Sequence, residues 1–413
     1  MILQSLKPTK IVLITSGQPA TNPRLVKEAD ALTEAGYEVV VLYQYYSHWA
    51  TELDKVLLKT KRWKAIKVGG DPNQDKIAYF KSKIAHKISK ALSAQLGFRW
   101  GLPLSAIGRA TPSLIAEAKN IKADLYIAHN LAALPAAVIA AKKHHAKCGF
   151  DAEDFHRNEV ADGQDRFDVK LKTEIENRFL NKLDYLTTSS DQIGLAYQSI
   201  YPKLNPITIL NVFPTTQYTP NKIGNGLKLF WFSQTVGAGR GLEDVIKALA
   251  QLKDLDIELH LLGNADEQSQ SSIKVTGEKL GLHDRKIIFH SPIPPDDIVR
   301  FASAFDIGLA TEIGIPRNRD LCLTNKLFTY LNAGLAVIAT DTSAQKAFME
   351  KYPQIGSVYP IGNLEALINI ISNYYHDRTR LEEAQFNSLS LANQTLNWEN
   401  EKSKFLLIVK NVL

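Results

Sequence analysis

A glycine-rich stretch in the second half of the chain has residue types and spacing suited to binding an anion. The stretch FSQTVGAGRGLEDVIKAL, residues 232–249, places three glycines, Gly237, Gly239 and Gly241, around the cation Arg240 at the end of an apolar run. A helix pattern follows, so the free amides of its first turn would point towards a ligand beside the arginine. The alternative is an ordinary turn with a solvated arginine.

A second glycine loop follows the first apolar run of the chain. Gly17 and the pair Asn22-Pro23 interrupt the chain before a helix predicted over residues 24–35, and Gly36 ends that helix. The spacing is not the GxGxxG pattern of dinucleotide-binding proteins. The sequence therefore gives little support to hydride transfer.

Candidate acid and base groups follow two other strand patterns. His129 ends the apolar run ADLYIAH, and Asp151, Glu153 and Asp154 follow the next strand in GFDAEDFHRNEV. Ligands of parallel sheets bind at the carboxyl ends of the strands, where these side chains are expected. A structural role is the alternative, since a lone histidine is more often structural than catalytic.

Repeated strand, turn and helix patterns must position these residues. Strands that are apolar on both faces and alternate with helices predict parallel sheets covered on both sides, so the predicted fold class is α/β. The strand patterns are KIVLIT, YEVVVLY, ADLYIAH, DYLTTSS, PITILNV, LKLFWFS, IELHLLG, KIIFHSP, DIGLAT and LAVIAT.

The alternation starts a second time after a proline-rich stretch. With 413 residues the chain is long enough for two or three domains. The stretch over residues 201–226, which includes Pro220 and Gly224, resembles an interdomain connection. We predict two Rossmann-like doubly wound domains, residues 1–205 and 206–390, that face each other across a cleft. Residues 391–413 are predicted to form a C-terminal helix that packs back on the first domain.

The positive charge is concentrated in one segment. The net charge is +6, but residues 51–110 contain thirteen Lys or Arg against four Asp or Glu, a local charge of +9. Within it, Lys76–Leu96 has apolar residues at helical spacing flanked by lysines, a pattern typical of a helix on an anionic membrane surface. The alternative is an amphipathic helix packed on its own domain with its lysines reaching solvent. Nucleic acid is disfavoured, because aromatic platforms are missing.

Other features of the composition favour a cytoplasmic protein. Cys148 and Cys322 match no metal or redox spacing, which predicts free thiols in a reducing compartment. The first apolar run, residues 11–14, is predicted to be a strand and not part of a signal peptide. No apolar run is long enough for a transmembrane helix.

Four segments together carry a family resemblance. NPRLVKEADALTEAGYEVVVL, LDYLTTSSDQIGLAYQSIYPKLNPITILNVFP, AGRGLEDVIKAL and TNKLFTYLNAGLAVIATD occur in this order. They resemble retaining glycosyltransferases of the two-Rossmann-domain (GT-B) type, specifically family 4 (glycosyl transferases group 1).

The resemblance implies an enzyme whose C-terminal domain holds a nucleotide-diphosphate sugar of the UDP or GDP type. Arg240 matches a basic residue that neutralises the diphosphate, and Lys326, Tyr330 and Gly334 match a unit that lies along the donor. The donor-binding residues predicted in this way are Gly17, Gly239, Arg240, Gly241, Glu312, Asn325, Lys326 and Thr329.

Thr329 departs from the family pattern. It stands where the family commonly has a glutamate that holds the ribose hydroxyls, and a threonine cannot make that two-fold carboxylate contact. A further family glutamate usually precedes by about eight residues, a place that falls on Leu321 or Cys322. Glu312 or Asp320 is the predicted substitute, with an ordinary surface carboxylate as the alternative for each.

On the acceptor side the resemblance implies that His129 approaches the donor sugar. Asp151 or Glu153 would help to orient an acceptor hydroxyl on a glycan or a lipid-linked molecule, as in the synthesis of cell-surface polysaccharide. Transfer with retention would use the leaving diphosphate as the base, so no protein nucleophile, metal or cofactor is expected. The alternatives are a non-catalytic binding or assembly relative and, less favoured, an epimerase or a phosphorylase.

Overall fold

The computed structural model describes residues 8–216, 226–237, 239–283 and 286–413. Pro220 and Gly224 of the predicted connection lie outside this set. The chain forms two compact units. The first runs to Ile209 and also includes Pro316–Asn318 and Lys402–Leu413, and the second comprises Leu210–Ile315 and Arg319–Glu401.

The first unit is built on a seven-stranded parallel sheet with the order β3-β2-β1-β4-β5-β6-β7. Its strands are β1 Lys10–Thr15, β2 Glu38–Gln44, β3 Lys64–Val68, β4 Leu125–His129, β5 Lys147–Ala152, β6 Tyr185–Thr188 and β7 Ile207–Thr208. Its helices are α1 Pro23–Glu34, α2 His48–Leu57, α3 Lys76–Leu96, α4 Leu102–Ala106, α5 Thr111–Ala118, α6 Leu134–His144, α7 Phe167–Phe179 and α8 Asp191–Ile200. The central strands are apolar and buried on both faces, as helix-covered parallel strands require.

The second unit is built on a six-stranded parallel sheet with the order β10-β9-β8-β11-β12-β13. Its strands are β8 Leu227–Thr235, β9 Ile257–Asn264, β10 Ile287–His290, β11 Ile307–Ala310, β12 Ala336–Thr340 and β13 Gly356–Tyr359. Its helices are α9 Leu242–Gln251, α10 Glu267–Lys279, α11 Ile298–Ala302, α13 Asn325–Asn332, α14 Ser343–Lys351, α15 Leu364–His376 and α16 Arg378–Gln394. Two further helices, α12 Arg317–Leu321 and α17 Trp398–Val412, contain residues of both units.

The prediction of an α/β protein with two doubly wound parallel sheets is confirmed. Three of the thirteen described strands are missing from the ten predicted patterns: β3, β13 and β5, of which β5 was expected only as the strand before Glu153. The edge strand β3 has the sequence KAIKV, in which lysines interrupt the apolar run, and β13 has the short sequence GSVY. Edge strands are less buried than central ones, so their apolar signal is weak.

Strand register brings the polar ends of neighbouring strands together. In the first unit Thr15 pairs with His129, His129 with Asp151, and Asp151 with Thr187. In the second unit Ala310 of β11 pairs with Ala339 of β12, so the residues that follow these strands share one edge. These two carboxyl edges contain most of the predicted site residues.

The predicted helix over Lys76–Leu96 has the same bounds in the structure, and Tyr79 and Leu92 are half-buried, but four other apolar residues do not pack on the unit. Ile77, Phe80, Ile84 and Ile88 are all exposed. The alternative of an apolar face packed on its own domain is therefore wrong for these four residues. Among the described helices, none combines the length and the apolar character that crossing a bilayer requires.

Candidate active site

The glycine turn after β8 is held against the end of β11. Gly239 and Gly241 have φ angles of +71° and +77°, which favour glycine. A Cβ on Gly241 would lie 2.2 Å from the carbonyl oxygen of Thr311, so no larger residue fits. The Thr311 hydroxyl donates a 2.8 Å hydrogen bond to the Arg240 carbonyl. Arg240 is thereby fixed beside the N-terminus of α9, as the sequence predicted for an anion site.

The Arg240 side chain makes few polar contacts within the described part of the chain. It is half-buried, and its Nη1 lies 3.4 Å from the Ser233 hydroxyl. Among the residues that the structure describes, no carboxylate lies within ion-pairing distance of Arg240. Glu243 instead accepts the Gly239 N–H at 2.8 Å. A half-buried guanidinium without a carboxylate partner is suited to an anionic ligand.

Glu312 and Lys326 form a buried ion pair in the second unit. Lys326 Nζ donates to Glu312 Oε1 at 2.7 Å and lies 5.4 Å from the centre of the Trp231 ring. The Thr340 hydroxyl donates to the Glu312 carbonyl at 2.6 Å, which fixes the start of this loop. Both predicted donor-binding residues are therefore present at the carboxyl edge of the sheet, and each neutralises the other.

Asn325 and Thr329 are the other two predicted donor-binding residues of α13. Asn325 is exposed, and its Oδ1 accepts a 3.0 Å hydrogen bond from Asn211. Thr329 is only 2% exposed. Asn325 and Thr329 therefore differ in exposure. Asp320, the other predicted carboxylate, accepts hydrogen bonds from the backbone N–H and hydroxyl of Ser343 at 2.8 and 2.6 Å.

Tyr330, which matches the tyrosine of the family's donor-contacting segment, packs inside the second unit. Its hydroxyl donates to the Leu309 carbonyl at 3.0 Å. Its ring covers Gly308 so closely that a Cβ there would lie 2.1 Å from Tyr330 Cγ. The spacing of Lys326 and Tyr330 thus places one side chain in the ion pair and the other against β11.

In the first unit, five charged side chains meet at the carboxyl ends of β4 and β5. We call this set, Arg24, Glu28, His129, Asp151 and Glu153, the charged cluster. Arg24 makes a two-point contact with the Asp151 carboxylate, through Nε and through Nη2 at 2.7 Å. His129 Nε2 lies 3.1 Å from Glu28 Oε2, within ion-pairing distance although not aligned as a hydrogen bond. His129 Nδ1 lies 3.5 Å from Asp151 and 3.4 Å from Glu153.

The charged cluster shifts the titration of its members. Burial alone would lower the pKa of His129, but the Glu28, Glu153 and Asp151 carboxylates raise it to about 10, so the imidazole is protonated near neutral pH. Burial opposes ionisation of Asp151, yet Arg24 and His129 hold its pKa below the ordinary value. Burial raises the pKa of Glu28. The cluster therefore contains a buried and positively charged His129 imidazole near neutral pH.

Glu153 is the member of the charged cluster that solvent reaches. Its side chain is 22% exposed, whereas His129 and Asp151 are fully buried. Its Oε1 accepts a 2.7 Å hydrogen bond from Asn22, the N-cap of α1. Of the three predicted catalytic residues, Glu153 alone is placed to touch a ligand directly in this structure. Asp151 lies within β5, not after it as the sequence suggested.

Gly17 lies in the first unit, apart from the other predicted donor-binding residues, which belong to the second. Its N–H donates to the Thr15 hydroxyl at 3.1 Å, and that hydroxyl donates to Asn130 Oδ1 at 2.8 Å. Asn130 has a φ angle of +67°, an uncommon conformation for a residue that is not glycine. These contacts shape the loop beside His129.

Part of the charged cluster has the side chains of a metal site. Ligand atoms of Glu28, His129 and Asp151 lie within 4.8 Å of one another. Arg24, however, is a buried cation that already contacts both Asp151 and Glu28. A metal ion would have to share these carboxylates with a guanidinium, so internal ion pairing explains the group better than metal binding.

The sequence analysis missed Arg24 and Glu28. Both lie on the buried face of α1, one turn apart, and follow the same spacing as its buried apolar residues. Charged residues at apolar positions of an amphipathic helix were the signal that could have found them.

Comparisons with known proteins agree with this architecture. The family model of glycosyl transferases group 1 matches residues 228–377, all of which except Pro316–Asn318 belong to the second unit. No curated protein sequence matches the chain. Solved structures match nearly the whole chain at low identity.

Three such structures illustrate the likeness. A glycosyltransferase from Rickettsia africae has a TM-score of 0.68 at 13% identity, covering 98% of this chain and 99% of the other. HepE from Anabaena, solved in complex with UDP, has a TM-score of 0.69 at 16% identity, covering 98% and 100%. Sucrose-phosphate synthase from Thermosynechococcus elongatus has a TM-score of 0.64 at 14% identity, covering 98% of each chain.

The fold is therefore the GT-B fold of glycosyltransferases. The second unit in addition has the sequence features of glycosyl transferases group 1. Fold and family match together agree with the resemblance to GT-B glycosyltransferases of group 1 seen in the sequence.

Proposed function

We propose that the protein is a retaining glycosyltransferase. It moves a sugar from a UDP- or GDP-type donor, bound by the second unit, to a glycan or lipid-linked acceptor in the synthesis of cell-surface polysaccharide. It works in the cytoplasm at the inner face of the membrane, with Lys76–Leu96 as the segment that contacts anionic lipid.

The observation that carries this proposal is the Arg240 turn. Three features converge at the carboxyl edge of the second sheet: a guanidinium with no carboxylate partner among the described residues, the N-terminus of α9 and two glycines with positive φ angles. A diphosphate fits this combination, because the helix amides and the guanidinium both favour negative charge.

Arg240 also acts on the diphosphate as it leaves the sugar. As the bond between sugar and phosphate breaks, negative charge develops on the leaving oxygen, and Arg240 stabilises that charge. In a front-face transfer the leaving group accepts the proton of the acceptor hydroxyl, so no protein nucleophile takes part. The α9 amides and Arg240 provide the positive charge, and the proposal includes no metal or cofactor. Lys326 remains paired with Glu312 and has a structural role beside the site.

The charged cluster contains the residues that act on the acceptor. Glu153 orients the acceptor hydroxyl through its exposed carboxylate. His129 and Asp151 are positioning residues, because they are buried, and His129 Nδ1 lies 3.4 Å from the Glu153 carboxylate.

A thermal-shift screen tests the function. The full chain is mixed with UDP, GDP and ADP and with their sugars, since a ligand at 100 times its dissociation constant stabilises a protein by about 2.7 kcal/mol. We expect stabilisation by one nucleoside diphosphate and its sugar. The donor found in this way is then incubated with acceptors, and the anomeric configuration of the product is read by NMR.

A second candidate function is non-catalytic binding or assembly. The observation that favours it is Thr329, which replaces a ribose-binding glutamate and is buried. An unchanged melting temperature with every nucleotide would favour this candidate over glycosyl transfer.

A further inference from the structure

Helix α3 is packed with its polar side inward. An amphipathic helix of a globular protein normally buries its apolar stripe. Here Ile77, Phe80, Ile84 and Ile88, which share one face at spacings of three and four residues, are 71%, 51%, 58% and 53% exposed. The described part of the chain leaves this stripe open to solvent.

The inward side of α3 contains polar residues, two of which make hydrogen bonds to residues beyond the helix. Ser89 and Ser93 are its buried residues. His86 Nδ1 lies 2.7 Å from the Ser105 carbonyl of α4, and Arg109 Nη1 donates to the Ser82 hydroxyl at 2.7 Å. Because these contacts fix the helix from its polar side, the exposed isoleucines are not needed to attach it.

Within α3, the charged residues that border the exposed stripe are all positive. Helix α3 contains five lysines and neither Asp nor Glu. The lysines are Lys76, Lys81, Lys83, Lys87 and Lys90, and each of them is exposed. A second copy of the chain would bring like charges together at this face, whereas an anionic bilayer offers both an apolar interior and opposite charge.

Helix α2 has a second exposed apolar stripe. Trp49, Leu53 and Val56 lie on one face and are exposed, while Asp54 on the other face accepts hydrogen bonds from Gln18 Nε2 and the Ala20 N–H at 2.7 and 2.8 Å. The polar side of α2 is thus fixed to the loop that follows β1, as the polar side of α3 is fixed to its own neighbours.

The two helices begin next to each other at the edge of the sheet that holds Glu153. The rings of Tyr45, shortly before α2, and Tyr79, in the first turn of α3, have centroids 5.8 Å apart. Gln18 Oε1 accepts the N–H groups of Tyr46 and Ser47 at 2.9 Å each, which joins α2 to the loop after β1. The apolar stripes therefore start at the same carboxyl edge of the sheet as Glu153, which the loop after β1 contacts through Asn22.

We infer that α3, with α2 beside it, forms a surface that docks the first unit on an anionic bilayer and brings a lipid-linked acceptor to Glu153. This inference rests on the proposed function for the acceptor, but the docking itself does not. The apolar stripes of the two helices enter the headgroup boundary, and the lysines of α3 remain among the anionic headgroups. The acceptor class that fits is a saccharide or phosphate carried on a membrane lipid.

Vesicle sedimentation with the full chain tests the docking. Vesicles of phosphatidylglycerol and phosphatidylcholine are compared with vesicles of phosphatidylcholine alone. We expect binding to the anionic vesicles that decreases with added salt. Replacing two lysines in Lys83→Gln/Lys87→Gln should lower the partition coefficient by roughly 20- to 30-fold, since each lysine near the surface contributes about fivefold.

The apolar stripe is tested with Ile84→Ser/Ile88→Ser, which should weaken partitioning by about tenfold or more. The matched controls lie in the second unit: Val275→Ser/Leu280→Ser for exposed apolar residues and Lys279→Gln/Lys346→Gln for exposed lysines. Both controls should bind like the parent. Unchanged melting temperatures exclude unfolding, and a variant that fails this check is replaced by Ile77→Ser.

Three results would overturn the inference: equal sedimentation with neutral and anionic vesicles, equal binding by the parent and both α3 variants, or a dimer that the isoleucine variant dissolves. Nucleotide binding is measured separately by thermal shift. Retained vesicle binding without nucleotide binding would refute the proposed function and leave the docking intact. To test the acceptor, turnover on a lipid-linked and a water-soluble acceptor is compared. The α3 variants should lose turnover on the first alone, and equal loss on both would refute the acceptor part.

Discussion

Lys326 Nζ lies 2.7 Å from Glu312 Oε1, and both side chains are buried in the second unit. The pair joins the loop after β11 to the first turn of α13, two segments that contain predicted donor-binding residues. A buried pair costs desolvation of both partners, and removing one partner leaves the other charge uncompensated.

We predict that Lys326→Met lowers the free energy of unfolding by about 3–5 kcal/mol, because Glu312 would remain buried without its partner. Glu312→Gln should also destabilise, since the lysine then loses its counter-charge. The double variant Lys326→Met/Glu312→Leu should recover much of the loss. Urea unfolding of the three variants measures this coupling, and additive losses would show that the two side chains act independently.

Arg240→Ala should weaken nucleoside diphosphate binding by about 1.5–3 kcal/mol, the range for a hydrogen bond to a charged group. The melting temperature without nucleotide should not change, because the guanidinium has no internal ion-pair partner among the described residues. Isothermal titration calorimetry measures the affinity. Arg300→Ala, an exposed arginine of the same unit, is the control. If Arg240→Ala binds the nucleotide as tightly as the parent does, the diphosphate assignment is wrong.

The burial of Thr329 changes what a glutamate at that position should do. If Thr329 faced the donor, Thr329→Glu would restore the ribose contact of the family. With 2% exposure, the new carboxylate would instead be buried without a partner, so we predict a loss of stability of about 3 kcal/mol or more. Thr329→Val keeps the shape of the side chain and should cost far less.

Thermal denaturation with and without saturating nucleotide separates the two possibilities for Thr329→Glu. A nucleotide-induced rise in melting temperature larger than that of the parent would show that the carboxylate reaches the ribose. A Thr329→Glu variant as stable as the parent without nucleotide would contradict the predicted burial.

The charged cluster predicts a loss of stability at alkaline pH. The pKa of His129 is raised from 6.5 to about 10 in the folded state, chiefly by Glu28 acting against burial. Protonated His129 therefore stabilises the folded chain fully below pH 6.5, and this contribution decreases above it and is lost as the pH rises through about 10.

Urea unfolding between pH 6 and 10 checks this prediction against His129→Gln. The parent should lose stability with rising pH more steeply than the variant. Parallel curves for the two proteins would mean that His129 has the same pKa in the folded and unfolded states.

Local sequence patterns determined the class of fold. The alternation of apolar strands and helices predicted two parallel sheets, and the bounds of α3 agree with the prediction, because helix periodicity is a local property. The Arg240 turn was also visible in the sequence, since glycines with positive φ angles and a helix start are features of neighbouring residues.

Tertiary structure decided which side chains meet and which sides of the helices are exposed. Arg24 and Glu28 reach His129 and Asp151 only because β1, β4 and β5 are neighbours in the sheet, and no local pattern contains that pairing. The sequence of α3 likewise fitted either a buried or an exposed apolar face. Two hydrogen bonds with residues beyond the helix, between His86 and the Ser105 carbonyl and from Arg109 to the Ser82 hydroxyl, hold its polar side inward. These contacts join residues far apart in the chain, and their energy depends on the packing around them.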